Sequence, residues 1–204
     1  MRSFIKSCVE VISERGKLLA FFNIIYFCSF AFAVLLVQFM FPPPIISEEL
    51  LSSFRFPFGG EWSLMIIGIF AFNLFFSAFA VVTLPGIVFF PLPTAFLVYR
   101  AVVWGLLFYP LPLWAFLIVL PTLVFEGEAY VFAATAGTIV GLSYVNPSWL
   151  FKGYGLSRLE AFKLALKEAA RIYVAVILLL FVAAIVETAT ILSFLSFLFC
   201  HAVF

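Results

Sequence analysis

Residues 18–41 contain no charged side chain. As a helix rising about 1.5 Å per residue, such a run is long enough to cross the ~30 Å hydrocarbon layer of a bilayer. Pro42, Pro43 and Pro44 then end it, because consecutive prolines cannot continue a helix. Similar apolar runs return at residues 63–83, 94–109 and 111–145, and again from residue 172 to the C-terminus. Across 204 residues, 66% are hydrophobic and only 10% charged, against about 25% charged in a soluble domain. That is too little charge to cover a water-facing surface, so the solvent of this chain is lipid. A backbone in lipid must satisfy its own hydrogen bonds, which favours helices. The expectation is an all-α, polytopic helical membrane protein. It has about five crossings plus a broken or re-entrant half-helix, in a single integral membrane domain over residues 1–204.

The ends of the runs carry the details. Residues 1–17 interleave Arg2, Lys6, Glu10, Glu14, Arg15 and Lys17 with Phe4, Ile5, Val9 and Ile12. This pattern predicts an amphipathic segment on the membrane surface, with Ser7 and Glu10 at capping-box spacing. No small-residue cleavage site follows the first apolar run, so that run is expected to remain as an anchor. Residues 42–62 form a polar connection, with a short helix expected at 47–53. Residues 84–93, with Pro85, Gly86, Pro91 and Pro93, read as an apolar loop that needs covering by other protein. The 111–145 run is too long for one straight span and too short for two. Pro121 and Glu126-Gly127-Glu128 interrupt it, so it parses as a half-segment at 112–124, a break, and a helix at 127–145. In that helix Ala129, Ala133, Gly137 and Gly141 recur every four residues, a stripe along which another helix can approach closely. Asn146-Pro147 ends it. Residues 152–171 carry Lys152, Arg158, Lys163, Lys167 and Arg171 opposite Leu159, Phe162, Leu166 and Ala169, with Ser157 and Glu160 at capping-box spacing. They predict an amphipathic helix running on into the last crossing.

Charge sets the expected orientation. Nine of the eleven Lys and Arg lie in residues 1–17 and 152–171, whereas the 42–62 loop holds one, Arg55, with three Glu. By the positive-inside rule the N-terminus and the 152–171 helix are cytoplasmic and that loop is outside. An even number of crossings must separate Lys17 from Lys152. Four full crossings with 112–124 re-entrant satisfy this, and the last helix puts the C-terminus outside. The predicted location is the cell membrane, multi-pass.

Arg100 is the basic residue that orientation does not explain. With Glu126, Glu128 and Glu187 it lies in apolar surroundings, where a charge costs about 2.5–3.5 kcal/mol on insertion scales. The expectation is an intramembrane polar cluster in which Arg100 pairs with Glu126 or Glu128, Glu187 joins them, and Asn73 hydrogen-bonds the group. Catalytic constellations are missing. His201 is the sole His and there is no Asp, so neither a His-based metal motif nor a Ser-His-Asp triad can be assembled. No phosphate-binding glycine loop is present. Cys8, Cys28 and Cys200 have no metal-type or disulfide-framework spacing. These features predict a protein that is not an enzyme and holds no cofactor or metal. A net charge of +1 gives no field for nucleic acid.

Several motifs over residues 60–192 resemble the stage II sporulation protein M family of integral membrane proteins. They are Asn73 in its apolar segment, Tyr99-Arg100-Ala101-Val102-Val103-Trp104-Gly105, Leu120-Pro121-Thr122-Leu123-Val124-Phe125-Glu126, the small-residue helix from Ala129 to Gly141, and Ala183-Ala184-Ile185-Val186-Glu187. Glu126 and Glu187 match the family's pattern. Thr122 stands where the family has His and Leu123 where it has Gly, so a function that needed that His would not carry over. The resemblance implies a membrane scaffold that works beside cell-wall hydrolases in envelope remodelling. The expected function is therefore a non-enzymatic scaffold or accessory protein that docks membrane or envelope partners, with the bilayer around it and a homo-oligomer as one assembly. The other reading is a small ion- or proton-coupled transporter or channel using the buried Glu and Arg.

Overall fold

The computed structural model describes residues 2–40, 61–108 and 113–202, and every regular element among them is helical. Helix α1 (Arg2–Glu14) leads through Arg15 into α2 (Gly16–Met40). Helix α3 is the rod Trp62–Val88, α4 is Leu92–Phe108 and α5 is Leu113–Val145. A short α6 (Pro147–Leu150) turns the chain into α7 (Arg158–Ala202). Four helices are long and apolar enough to cross a membrane, and α4 is a shorter apolar one. The chain is an all-α membrane protein. The helix expected at 47–53 and the side chains of Cys200 and His201 lie outside the described residues.

The α5–α7 hairpin is the central interface, and α2 packs mainly on α4. One core gathers Phe22, Tyr26 and Phe30 of α2, Ala129, Tyr130 and Ala133 of α5, and Val176 and Leu180 of α7. A second, at the hairpin's closed end, packs Ala136, Ile139 and Val140 against Ala161, Ala165 and Ile172. Val11 of α1 joins that second core. Residues 1–17 and 152–171 therefore sit at the same end of the bundle.

A clamp holds that end. Arg15, at the elbow between α1 and α2, directs Nη2 (2.8 Å) and Nε (3.0 Å) to one carboxylate oxygen of Glu168, and Nη1 to the Leu150 carbonyl at 3.2 Å. Its guanidinium lies over Phe151, 5.3 Å from the ring centroid. Glu168 explains why the face of α7 differs from the expected one. Of the expected face, Leu159 and Leu166 are exposed, whereas Ala169 is buried and Phe162 packs on the second core; Ala161, Ala165, Glu168 and Ile172 are buried as well. Alanine allows α5 and α1 to come close, and the ion pair lets a carboxylate occupy that face. The Ser157–Glu160 box is formed: the Ser157 N–H donates to the Glu160 carboxylate at 2.9 Å, and the Glu160 N–H to Ser157 Oγ at 3.4 Å. The box expected at Ser7 is not, because Ser7 lies inside α1. Glu10 faces Lys6 instead, at 3.8 Å.

Of two expected interruptions, the loop over 84–93 is shortened to residues 89–91 and the break in 111–145 is absent. Residues 84–88 continue α3 as helix rather than starting a loop. The preceding stretch, Phe72–Thr83, is wound as a π-helix, and the Leu84 N–H bonds to the Phe79 carbonyl, five residues back. This wider turn moves aside the carbonyl that a proline ring would strike in an α-helix, so Pro85 is tolerated. The break at Glu126-Gly127-Glu128 is missing, and α5 runs 33 residues with Pro121 inside it. A proline removes one donor only, whereas an open break would strand several backbone groups in lipid. The half-helix of 112–124 is thus the first part of α5. Among the described residues the apolar helices between Lys17 and Lys152 are four, α2, α3, α4 and α5.

The small-residue stripe explains the closest contact. Ala129 and Ala133 are fully buried. A Cβ on Gly137 would stand 2.6 Å from the Thr83 carbonyl oxygen, and one on Gly141 would strike the Gly86 carbonyl. The Thr83 hydroxyl bonds the Ala133 carbonyl at 3.0 Å and the Tyr173 hydroxyl at 2.6 Å, tying α3, α5 and α7. Gly137→Val should cost about 1–3 kcal/mol through overpacking. Gly16→Ala, with nothing near its would-be Cβ, should be neutral or slightly stabilising. Thermal unfolding in detergent compares them, and equal melting of the two variants would contradict this packing.

Candidate functional site

Asn73 and Ser77 lie in the π-wound part of α3, Arg100 midway along α4, and Glu126 and Tyr130 one turn apart on α5. Four-residue spacing puts Glu126 and Tyr130 on one face, and that face meets α3 and α4. Arg100 Nη2 donates to Glu126 Oε1 at 3.2 Å and to the Tyr130 hydroxyl at 2.6 Å. The Tyr130 hydroxyl has two acceptors in reach, Glu126 Oε1 and Asn73 Oδ1, the latter at 3.2 Å. Ser77 Oγ donates to the same Asn73 oxygen at 3.4 Å. The guanidinium sits 4.7 Å from the Tyr130 ring centroid and 5.8 Å from that of Trp104. Cation–π attraction is strongest where water is excluded, and Glu126 and Tyr130 are 2% and 0% exposed.

Tyr26 of α2 closes another side. It is fully buried, its ring rests where a side chain on Gly127 would go, and it interacts electrostatically with Glu126 and Arg100. Glycine at 127 is therefore required by close approach and does not mark a break. Glu187, from α7, makes no ion pair among the described residues but lies close enough to Arg100 and Glu126 to interact electrostatically with both.

Of the residues singled out from sequence, Asn73, Arg100 and Glu126 are brought together, and Glu187 lies beside them without direct contact. Glu128 is not in the cluster. Two residues along an α-helix is about 200° of rotation, so Glu128 points away from Arg100 and accepts a 3.4 Å hydrogen bond from Asn23. Tyr130, Ser77, Tyr26 and Asn23 were not anticipated. Spacing could have found Tyr130, one turn from Glu126, and Ser77, one step of four from Asn73. No sequence signal points to Tyr26. Among the described residues no three His, Cys, Asp or Glu side chains gather as a metal site would need.

The arrangement is a buried ion pair shared by three helices. Its attraction is offset by the cost of desolvating both charges, but removing one partner leaves the other buried and alone.

A family-wide sequence profile described as stage II sporulation protein M matches residues 19–190, and the chain belongs to that family. Comparison with curated proteins gives no match, and neither does comparison with solved structures. The matched region contains every member of the polar cluster.

Glu126→Ala should strand Arg100 and cost about 3–5 kcal/mol. Glu128→Ala, which loses one long hydrogen bond, should cost no more than about 1 kcal/mol. Melting temperatures of the two variants in one detergent test the sorting, and a larger loss at Glu128 would refute it.

Proposed function

We propose that this protein is a non-enzymatic membrane scaffold that docks other membrane or envelope proteins. The observation that carries the reading is the hydrogen-bonded linkage of three helices through the polar cluster. Arg100 spends its Nη2 donor on Glu126 and Tyr130, and Tyr130 reaches Asn73. Bonds of this kind fix the register of α3, α4 and α5. A rigid bundle is what a docking platform needs, and a charge pair can set packing without taking part in chemistry.

The end held by Arg15 and Glu168 supports the same reading. There α1 is fixed against α7, leaving Phe4, Ile5 and Val9 exposed along one helix and Lys163 and Lys167 exposed along the other. In this proposal that end is cytoplasmic, since it gathers the two basic segments. The helices α2, α3, α4, α5 and α7 make five crossings, and the C-terminus lies outside. A homo-oligomer is one assembly compatible with the exposed apolar faces. The second reading, an ion- or proton-coupled transporter or channel, draws support from Glu187, which is a carboxyl beside the pair with no cation of its own.

Purification of the tagged chain in mild detergent from its native membrane tests the proposal. A membrane or envelope protein recovered in fixed stoichiometry, with no solute flux in proteoliposomes, is the expected result. Recovery of the chain alone together with ion or proton flux would overturn the scaffold reading in favour of the second.

A further inference from the structure

Helix α1 has an apolar arc wider than the bundle covers. Cys8 and Val11 are buried, and Val11 packs in the second core with Ala161 and Ala165 of α7. Ile5 and Val9, four residues apart, form the adjoining edge and are 56% and 59% exposed. That edge is held in a fixed place. Arg15 ties the elbow after α1 to Glu168 of α7 and to the Leu150 carbonyl of α6. A helix whose apolar arc is only half covered by protein presents the other half to a second apolar medium.

Other elements carry matching surface at the same end. Ile87 packs on the core that holds Val11, and Thr138 Oγ1 donates to the Phe90 carbonyl at 3.3 Å, which sets the turn between α3 and α4 there. Val88 and Phe89 are exposed on that turn, as are Tyr144 at the end of α5, Trp149 on α6 and Tyr154 in the loop before α7. Tyrosine and tryptophan, with an apolar body and a polar tip, favour the headgroup level of a bilayer. Charge is interleaved with these rings. Among the described residues, Lys6, Lys17, Lys152, Arg158, Lys163 and Lys167 are exposed at this end, against the acids Glu10, Glu14 and Glu160. Glu10 faces Lys6 at 3.8 Å, and Glu160 is bonded to Ser157. On α7, Lys163 lies one turn from the exposed Leu159 and Leu166, a spacing at which a lysine stem covers apolar surface while its ammonium reaches outward.

We infer that this end of the bundle is a binding surface for anionic phospholipid headgroups. The Ile5–Val9 edge of α1 and the Val88–Phe89 turn enter the apolar side of the interface, the Trp and Tyr rings sit at headgroup level, and the lysines meet lipid phosphates. Charge complementarity selects this occupant. Exposed basic side chains outnumber exposed acidic ones here, six to three among the described residues, and each Lys or Arg near an anionic leaflet adds to the attraction. A protein partner favours an apolar patch with charge confined to its rim. Here apolar, aromatic and basic residues alternate across α1, the α3–α4 turn, α5, α6 and α7, which fits a plane better than one groove. The inference does not rest on the scaffold reading, because it concerns the lipid that this end contacts, whichever proteins the chain meets.

The test uses the full chain in two settings. In its native membrane, a photo-reactive amino acid replaces Val9 or Val88, and the adduct formed on illumination is identified by mass. A phospholipid adduct at both positions is expected. A protein adduct in its place assigns the surface to a partner and overturns the inference, and so does the absence of any lipid adduct. In nanodiscs that mix phosphatidylglycerol with phosphatidylcholine, the lipids retained by the purified protein are counted by native mass spectrometry. Phosphatidylglycerol should be retained several-fold beyond its share, and the excess should shrink as salt is raised. Each lysine removed from this surface should lower the excess by up to about fivefold at low salt. Lys152→Gln, Lys163→Gln and Lys167→Gln combined should therefore abolish it, whereas Lys152→Arg, Lys163→Arg and Lys167→Arg combined should keep it. A wild-type protein that retains the two lipids in proportion to their supply overturns the inference. So does a glutamine variant that melts like the wild type and keeps the excess.

Discussion

The contact between Arg100 and Glu126 is the interaction on which the interior of this bundle depends. Neither residue is tolerable alone in an apolar setting, because each would leave an uncompensated charge in a medium that cannot solvate it. Together, at 3.2 Å and under the Tyr130 ring, they allow α4 and α5 to pack with charged side chains facing inward. Tyr130 extends the arrangement to Asn73, which brings in α3. The side chains that satisfy the pair are thus the side chains that set the register of three helices.

Steric conditions make that geometry reachable. The pair requires close approach, and glycine provides it. Gly127 admits the Tyr26 ring, while Gly137 and Gly141 admit the backbone of α3 at Thr83 and Gly86. At one end of the bundle Arg15 and Glu168 repeat the principle with a second largely buried pair, joining the elbow of α1 and α2 to α7. Both ion pairs link separate elements, across 153 residues for Arg15–Glu168 and 26 for Arg100–Glu126, so they select one packing among the several that apolar helices could adopt. In lipid, where hydrophobic burial between helices contributes little, such polar links have greater weight.

Much of this was legible before the fold. The lengths of the apolar runs predicted the helices at residues 18–41, 94–109 and 172 onward. Arg100 in an uncharged run announced a partner, and Glu126 was one of two named. Glu128 could not be set aside without knowing that α5 is continuous, since a break at Gly127 would have changed the direction of every side chain after it. Prolines were overread in both cases. Pro85 is absorbed by the π-wound turn before it, and Pro121 costs α5 one hydrogen bond without breaking it. Neither outcome is encoded locally; each depends on packing that covers the backbone. Tyr26 was hidden for another reason, since it is one aromatic residue among many and only its position over Gly127 distinguishes it. The buried face of α7 was read only in part: Phe162 and Ala169 pack inward, but Leu159 and Leu166 do not, and Ala161 and Ala165 were passed over because alanine carries little hydrophobic signal.

Membership of the stage II sporulation protein M family places these features over most of a shared sequence region, and the central claim concerns how that region is held together. The most direct test is a double-mutant cycle on Arg100→Met and Glu126→Gln, with unfolding free energies measured in lipid. The account predicts that the double variant is more stable than the sum of the single losses implies, with a coupling of about 2 kcal/mol or more. Losses that add to within about 0.5 kcal/mol would show that the two residues do not depend on each other, and would contradict the account.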